Sequence, residues 1–366
     1  KIYYLIFNNQ KYKNFRSADG IPLQPDELIF KTETVDYKKL NAKAYEELFT
    51  YFPYYYSYSG LKNIDWKKEF EKRRDEFLKS SSDIEFAINL ISVLKQANDP
   101  HMYIEVKGER YYSGRKNIIV PNYVRTNSIF KMLEDIRFTN NRHFFGGKID
   151  EVGYIGIKSW NFDIRNTRIN CWGYPDSTIS IQEFLKELSS LKNIIIDVRE
   201  NSGGNETYAK QFASFFTNDT IAYEKTIVRD TITNKYEVER IKYLYPNENP
   251  LNYKGNIYVL SGPDVMSSNE SFILMMKQLE NTKIAGMKSY GSSANPIPVE
   301  LSNHIKIFIP SWQAYTLDGK LIEGNGIEPD IEIISEHDNT ITKDFIKNKQ
   351  VDLLLTKIIE LTKKEK

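Results

Sequence analysis

The sequence contains few of the residues on which several large protein classes depend. It has one cysteine, Cys171, among 366 residues, which excludes an internal disulfide framework and a cysteine-rich metal site. Lys plus Arg number 50 and Asp plus Glu number 49, so no excess charge attracts nucleic acid or acidic lipid. No apolar run approaches the roughly 18 residues of a membrane span. We therefore expect no nucleic-acid partner and no membrane-spanning segment in this chain.

The composition is that of a globular protein, with 40% hydrophobic and 27% charged residues. The length is sufficient for two or three domains with a sizeable core. The sequence starts at Lys1 rather than at Met, which leaves room for a signal or lipoprotein segment that was removed.

Hydrophobic periodicity divides the chain into a helical part and an α/β part. Short strands or extended chain are expected over residues 1–35, and helices over about 37–51, 65–79 and 83–97. From residue 102 onward, nearly continuous apolar strands alternate with helices, a pattern typical of an α/β core with buried strands. We predict an extended and helical N-terminal subdomain over 1–100, an α/β core over 101–338 and a C-terminal helical segment over 339–366.

The stretch "SGPDVMSSNESFILMM", Ser261 to Met276, places three serines where an apolar strand gives way to a helix. Ser267 and Glu270 have the spacing of a capping box, in which each side chain satisfies the backbone N–H of the other. On this stretch alone a capping role is favoured, and a nucleophilic serine needs support from the rest of the chain.

The four histidines limit the choice of a general base for such a serine. His304 begins an apolar strand and His337 lies in a polar loop, whereas His143, before a glycine turn, fits either a structural or a functional role. His101, in "NDPHMY", is fixed at a helix-to-strand junction with Asp99 two residues before it. Its position alone leaves a catalytic role and a purely structural role equally open.

A glycine turn offers candidate donors for an oxyanion. In "IIIDVRENSGGNETYAKQF", Gly203 and Gly204 connect an apolar strand to a helix. Glycines let backbone N–H groups approach a ligand, and a helix N-terminus adds positive potential. A tight turn that needs glycine for geometry alone is the alternative. A phosphate-binding loop is disfavoured because no Lys-Ser/Thr pair follows the glycines.

Taken together in their order, these segments resemble the tail-specific, or C-terminal-processing, serine peptidases. The similarity extends over about residues 40–335 and rests on six segments, which are "GLKNIDW", "LKQANDPH", "VGYIGIKSWNF", "IIIDVRENSGG", "MSSNESF" and "EGNGIEPDIEI". The resemblance implies a crotonase-like (ClpP-like) α/β core. The roughly 45 residues between His101 and Glu151 are too few for the PDZ module that many relatives carry, since even small domains usually exceed about 50 residues.

The family has two branches, and the sequence resembles the one that uses a histidine, like the tricorn protease core and the retinoid-binding-protein repeats. In the Ser–Lys branch the catalytic lysine would stand where this chain has Ser292, and Lys288 lies four residues too early. The resemblance therefore implies His101 as base and Glu323 as the residue that orients it, with Glu328 as the fallback.

The same resemblance resolves the role of the serines. It implies Ser267 as the nucleophile, with the backbone N–H of Ser268 and of Gly203 or Gly204 as oxyanion donors. Capping and catalysis are compatible, because a serine at a helix N-terminus can expose its hydroxyl while the helix dipole favours the developing oxyanion.

The implied function is that of a serine peptidase with an acyl-enzyme intermediate, acting on a peptide or protein substrate without a metal or an organic cofactor. Relatives of this kind are commonly bacterial and exported, so we expect a periplasmic, cell-envelope or extracellular location, and the sequence leaves an oligomer open. One alternative is a non-catalytic protein that binds an apolar ligand or peptide on the same scaffold. A weaker one is an acyl-CoA enzyme, which would leave the Ser-x-x-Glu and Asp-x-His segments unexplained.

Overall fold

The structure is a computed structural model that describes residues 2–8, 15–24, 26–31, 36–114, 122–123, 126–334 and 352–364. The sequence predictions for His337, for most of the strand at 117–124 and for residues 342–351 of the closing helix lie outside these ranges.

The helices form where capping residues precede apolar periodic stretches. In the second predicted helix Arg73 leaves helical geometry, with φ −114° and ψ 15°, so that two short helices replace one. The third predicted helix ends at Leu94. A single tighter turn, Lys95–Ala97, follows it and leads to Asn98, which has φ +42°. The helices are α1 (Tyr37–Tyr55), α2 (Trp66–Lys72), α3 (Arg74–Lys79), α4 (Asp83–Leu94), α5 (Thr126–Phe130), α6 (Ile181–Leu188), α7 (Glu206–Ala213), α8 (Ser268–Lys277) and α9 (Leu353–Lys364).

The strands are short, and most follow the apolar or alternating segments of the sequence. They are β1 (Ile2–Phe7), β2 (Asp26–Lys31), β3 (Tyr103–Val106), β4 (Glu109–Tyr112), β5 (Glu134–Phe138), β6 (Phe144–Ile149), β7 (Val152–Ile157), β8 (Arg168–Cys171), β9 (Tyr174–Ser180), β10 (Asn193–Asp197), β11 (Ile221–Arg229), β12 (Tyr236–Leu244), β13 (Asn256–Ser261), β14 (Thr282–Gly286), β15 (Pro296–Glu300), β16 (Lys306–Pro310), β17 (Trp312–Tyr315) and β18 (Ile331–Glu332).

A nine-stranded sheet organises the core, with the strand order β18-β14-β13-β10-β7-β6-β5-β8-β9. The five strands from β18 to β7 run parallel, and the strands from β6 onward are antiparallel to their neighbours. In this register Asp197, at the end of β10, lies beside Leu260 of β13. The carboxyl ends of β10, β13 and β14 therefore meet at one edge of the sheet, where the loops after them can form a site.

Helices cover both faces of this sheet, which explains its nearly continuous apolar strands. One face packs against α6, α7 and α8, and the other against α5 and the C-terminal helix α9. The mixed α/β class predicted from the sequence is confirmed. Among the described residues, no helix is both long enough and apolar enough to cross a membrane.

The N-terminal helices share a core with a smaller sheet rather than packing by themselves. Helices α1 to α4 bury their aromatic side chains against β3, β15 and β16, which belong to a four-stranded sheet of order β15-β16-β3-β4. A three-stranded sheet, β12-β11-β17, and the pair β1-β2 complete the described strands. Because β15 follows the loop after β14, this shared core brings the helical subdomain to the carboxyl edge of the main sheet.

Candidate active site

Ser267 lies at the N-terminus of α8, at the carboxyl edge of the main sheet. Helix α8 is buried over Ser268 to Met276, so its position is fixed by packing on all sides. Ser267 itself is only partly buried, and its backbone has φ +58° and ψ −134°. A serine rarely adopts this left-handed conformation, which typically costs about 1–3 kcal/mol and is concentrated at functional sites.

The cap of α8 leaves the Ser267 hydroxyl facing a histidine. The Glu270 carboxylate accepts the backbone N–H of Ser267 at 3.3 Å, as in the predicted capping box, while Ser267 Oγ lies 2.9 Å from Nε2 of His101. The two interpretations of this serine are thus compatible, because its backbone is capped by Glu270 while its side chain contacts a potential base.

Asp99 fixes the backbone of His101 at the junction between α4 and β3. Its carboxylate is fully buried, accepts the His101 backbone N–H at 2.9 Å and also accepts the Tyr56 hydroxyl at 3.1 Å. Burial lowers the pKa of His101 below its usual range, the Asp99 charge opposes that shift, and the Lys62 charge adds to it. The imidazole is therefore neutral at pH 7, as a general base requires.

The second ring nitrogen of His101 contacts a serine rather than the predicted glutamate. Nδ1 lies 2.9 Å from Oγ of Ser292, which is fully buried. Sequence reasoning noted Ser292 only because it replaces a lysine of the other branch, and did not anticipate this contact. The pairing depends on the loop after β14 folding back onto α8, for which the sequence carries no local signal.

Glu323 lies near this group without bonding the imidazole. Its carboxylate pairs with the Lys62 ammonium at 2.8 Å and accepts the Ser293 backbone N–H at 3.2 Å. Burial and the charge of Asp99 raise the pKa of Glu323 to about 7, against the opposing effect of Lys62. The fallback residue, Glu328, is largely exposed and pairs with Lys288 at 2.7 Å.

The glycine turn after β10 approaches Ser267 closely. A Cβ on Gly203 would lie 2.8 Å from the Cβ of Ser267, and Gly203 has φ +112°, so only glycine fits there. Its N–H donates to Oδ1 of Asn201 at 2.8 Å, and its carbonyl accepts the Trp160 N–H at 3.0 Å. Within the part of the chain that the structure describes, the N–H groups of Gly204 and Ser268 have no acceptor.

Asn269 joins the glycine turn to helix α8. Its side-chain amide donates to the carbonyls of Val198 at 3.0 Å and Asn201 at 2.8 Å, and its oxygen accepts the Trp160 indole N–H at 3.0 Å. Because Asn269 is fully buried, these bonds fix the turn relative to Ser267. An asparagine inside a helix is not distinctive, so the sequence alone did not indicate this residue.

The other candidates from the sequence lie elsewhere. His143 contacts the Asn141 side chain at 3.2 Å, and the exposed His304 lies 3.5 Å from the Glu300 carboxylate. Cys171 is buried as a free thiol. Among the histidines that the structure describes, His101 is therefore the one that meets a candidate nucleophile.

The fold and these contacts define a class of protein. A backbone-strained serine at a helix N-terminus, in hydrogen-bond contact with a histidine and beside backbone N–H groups that have no acceptor among the described residues, is an arrangement that fits a nucleophile, a base and oxyanion donors. Ser267 and His101 are the candidates for the first two roles.

Comparison with known proteins gives the family. The model of peptidase family S41 matches residues 151–333, half of the chain, and the chain belongs to this family. A protein described as a CtpA-like serine protease from Staphylococcus epidermidis is 28% identical over 147 residues, which are 39% of this chain and 28% of that protein. The chain thus spans less than a third of the length of this curated relative.

Two solved structures share the fold. A structure described as a peptidase from Parabacteroides merdae superimposes with a TM-score of 0.69 at 19% identity, covering 88% of this chain and 96% of that one. The photosystem II D1 C-terminal processing protease gives a TM-score of 0.52 at 14% identity, covering 82% of this chain and 94% of that one. At these identities the likeness is one of fold. The predicted resemblance to C-terminal-processing serine peptidases is confirmed.

Proposed function

We propose that this protein is a serine peptidase that cleaves a peptide or protein substrate through an acyl-enzyme. The observation that carries the proposal is the 2.9 Å contact between Ser267 Oγ and His101 Nε2. Ser267 Oγ bonds the scissile carbonyl carbon while its proton passes to Nε2. The intermediate then breaks its C–N bond, and His101 returns the proton to the leaving amine. A water molecule, deprotonated in the same way, releases the acyl group.

Backbone N–H groups at the start of α8 and in the glycine turn donate hydrogen bonds to the oxyanion. Ser268 N–H and Gly204 N–H are available, and the α8 dipole adds positive potential at Ser267. The Gly203 N–H, bonded to Asn201, becomes a donor only if that bond opens. One such donor is typically worth about 10²–10³ in rate.

Glu323 influences the base through the Ser292–Ser293 segment and not by direct contact with the imidazole. Its carboxylate holds the Ser293 N–H, next to the serine that contacts Nδ1, and its partner Lys62 ties this segment to the helical subdomain. We therefore expect Glu323→Ala to leave residual activity, whereas Ser267→Ala abolishes it.

We further infer a crotonase-like core and no PDZ module between His101 and Glu151. The described part of this stretch supports the inference, because β3 and β4 join the four-stranded sheet and β5 and β6 join the main sheet. The Staphylococcus relative is bacterial, which supports a bacterial source, and we propose export to the periplasm, envelope or exterior from the family resemblance alone.

Labelling with a fluorophosphonate, which reacts with activated serines, tests the function. We expect the wild-type protein to be labelled, and labelling to disappear in Ser267→Ala and to fall by about 10²–10⁴ in His101→Ala. His143→Ala is the matched control and should label like wild type, because His143 contacts Asn141 instead. Absence of labelling in folded wild-type protein would reject the peptidase and favour the binding protein.

A further inference from the structure

The His101 imidazole lies between two serine hydroxyls. Nε2 is 2.9 Å from Oγ of Ser267, and Nδ1 is 2.9 Å from Oγ of Ser292. A neutral imidazole carries one ring proton, so the nitrogen that holds it donates and the other accepts. Only the form with the proton on Nδ1 leaves Nε2 able to take a proton from Ser267. The group that accepts a hydrogen bond from Nδ1–H therefore decides whether Nε2 is free to act as a base.

Ser292 is built into the site through its backbone as well as its side chain. Its N–H donates to Glu270 at 3.0 Å, and its carbonyl accepts the Ser267 N–H at 2.9 Å. Glu270 also accepts the Gly291 N–H at 2.8 Å. One residue thus contacts both the backbone of the nucleophile and the ring of the base, which fixes the distance between them.

The carboxylates around the ring bond to other groups. Asp99 accepts the His101 backbone N–H and the Tyr56 hydroxyl, and Glu323 bonds Lys62 and Ser293. The lowered pKa of His101 agrees with this arrangement, because a carboxylate directly on Nδ1 would raise it.

We propose that Ser292 is the residue that positions the general base, an inference that rests on the proposed function. Its hydroxyl accepts a hydrogen bond from Nδ1–H, holds the ring in the plane that directs Nε2 at Ser267, and thereby selects the tautomer that can deprotonate Ser267. A neutral hydroxyl takes the place that a carboxylate holds in the usual triad.

The test compares Ser292→Ala with Ser271→Ala by the rate of fluorophosphonate labelling. Ser271 is the matched control, since it is also buried and its hydroxyl has a single partner, Glu224 at 2.7 Å, away from the imidazole. We expect Ser292→Ala to slow labelling by about 10²-fold or more and Ser271→Ala by less than about threefold. Circular dichroism establishes that both variants are folded.

A second pair of variants distinguishes positioning from a merely structural role. Labelling rates measured against pH give the midpoint at which His101 loses its function as a base. Ser292→Ala removes an acceptor that favours the charged ring, so the midpoint should fall, whereas Ser292→Asp places an anion at Nδ1 and should raise it. The other titratable groups around the ring are Asp99, Lys62, Glu270 and Glu323, and they are the same residues in all variants. Burial raises the pKa of Glu270 to about 8 and that of Glu323 to about 7, so each midpoint is compared with that of the wild type, in which both also titrate.

The outcomes separate this inference from the function on which it rests. If Ser292→Ala labels at the wild-type rate while Ser267→Ala does not label, the peptidase stands and the role of Ser292 is rejected. If Ser292→Ala does not fold, the midpoint of Ser292→Asp decides, and an unshifted midpoint rejects the inference. If the folded wild-type protein is not labelled, the proposed function fails and this inference fails with it.

Discussion

Gly203 and Ser267 approach so closely that a methyl group on Gly203 would lie 2.8 Å from the Ser267 Cβ. Because the glycine turn and Ser267 come from different loops, this contact sets the width of the site. No side chain can enter there without moving one loop away from the other.

Gly203→Ala should therefore reduce fluorophosphonate labelling by about 10²-fold or more, because the turn must shift away from the nucleophile. Gly319→Ala is the matched control. Gly319 also has a positive φ, +87°, but nothing lies within 4 Å of its Cβ position, so the change adds backbone strain without a clash. Equal labelling of the two alanine variants would show that the close approach does not matter.

Ser267→Gly should be more stable than Ser267→Ala, although both are inactive. At φ +58° and ψ −134° an alanine keeps the backbone strain, whereas glycine relieves it, and the expected difference in the free energy of unfolding is about 1 kcal/mol. Urea denaturation of the two variants measures it. An alanine variant as stable as the glycine variant would mean that this conformation stores no strain.

Lys62→Met should destabilise the protein increasingly as pH rises. Lys62 lowers the pKa of Glu323, which burial and Asp99 raise from 4.5 to about 7. A raised pKa means that the folded state holds this proton more tightly than the unfolded state, so stability falls as pH rises from the unfolded value through the folded one. Without Lys62 the pKa of Glu323 in the folded state is higher still, so the free energy of unfolding continues to fall to higher pH.

Urea denaturation at about pH 5.5 and about pH 8 should thus show that Lys62→Met lowers the free energy of unfolding, relative to wild type, by more at the higher pH. Lys68→Met is the control, since Lys68 lies exposed on α2 and should change stability little at either pH. A deficit that does not depend on pH would contradict the assigned role of Lys62.

Asp352→Ala should release the C-terminal helix. Arg199, fully buried, pairs with Asp352 at 2.7 Å and with Asp197 at 2.6 Å, and Asp352 also accepts the Leu355 N–H at the start of α9 at 2.9 Å. Removing one partner of a buried pair typically costs about 3–5 kcal/mol when the other charge is left uncompensated. Because Arg199 keeps Asp197, we expect a loss near or below the lower end of that range. Hydrogen exchange in α9 and urea denaturation measure the loss.

Lys363→Ala provides the comparison on the same helix. Lys363 forms an ion pair with Asp150 at 3.0 Å, and both side chains are exposed. Such pairs typically contribute less than about 1 kcal/mol. Similar losses in Asp352→Ala and Lys363→Ala would argue against a structural role for the buried arginine.

The sequence predicted those elements whose cause is local. The helices α1 and α4 start within a residue of the predicted positions, because Asp36 and Ser82 cap them and apolar periodicity follows. The break at Arg73 was not predicted, since the apolar pattern continues across it and only packing separates α2 from α3.

The chemistry of Ser267, His101 and the glycine turn could be inferred because each belongs to a recognisable segment of a known family, and the structure brings these three together. Glu323, assigned by the same resemblance, instead bonds Lys62 and Ser293, while Ser292 occupies Nδ1. No spacing along the chain encodes that contact, which spans 191 positions.

The sequence by itself determined the α/β class and the starts of helices such as α1 and α4, because capping and periodicity act over short distances, whereas Ser267 and His101 were indicated as candidate nucleophile and base only by the resemblance to a known family. Only the tertiary structure decided which hydroxyl and which charges surround the imidazole. Those neighbours come from the turn after α4, from the loops after β13, β14 and β17 and from the helical subdomain. They meet only when the parallel strands align their carboxyl ends and α8 is buried between layers.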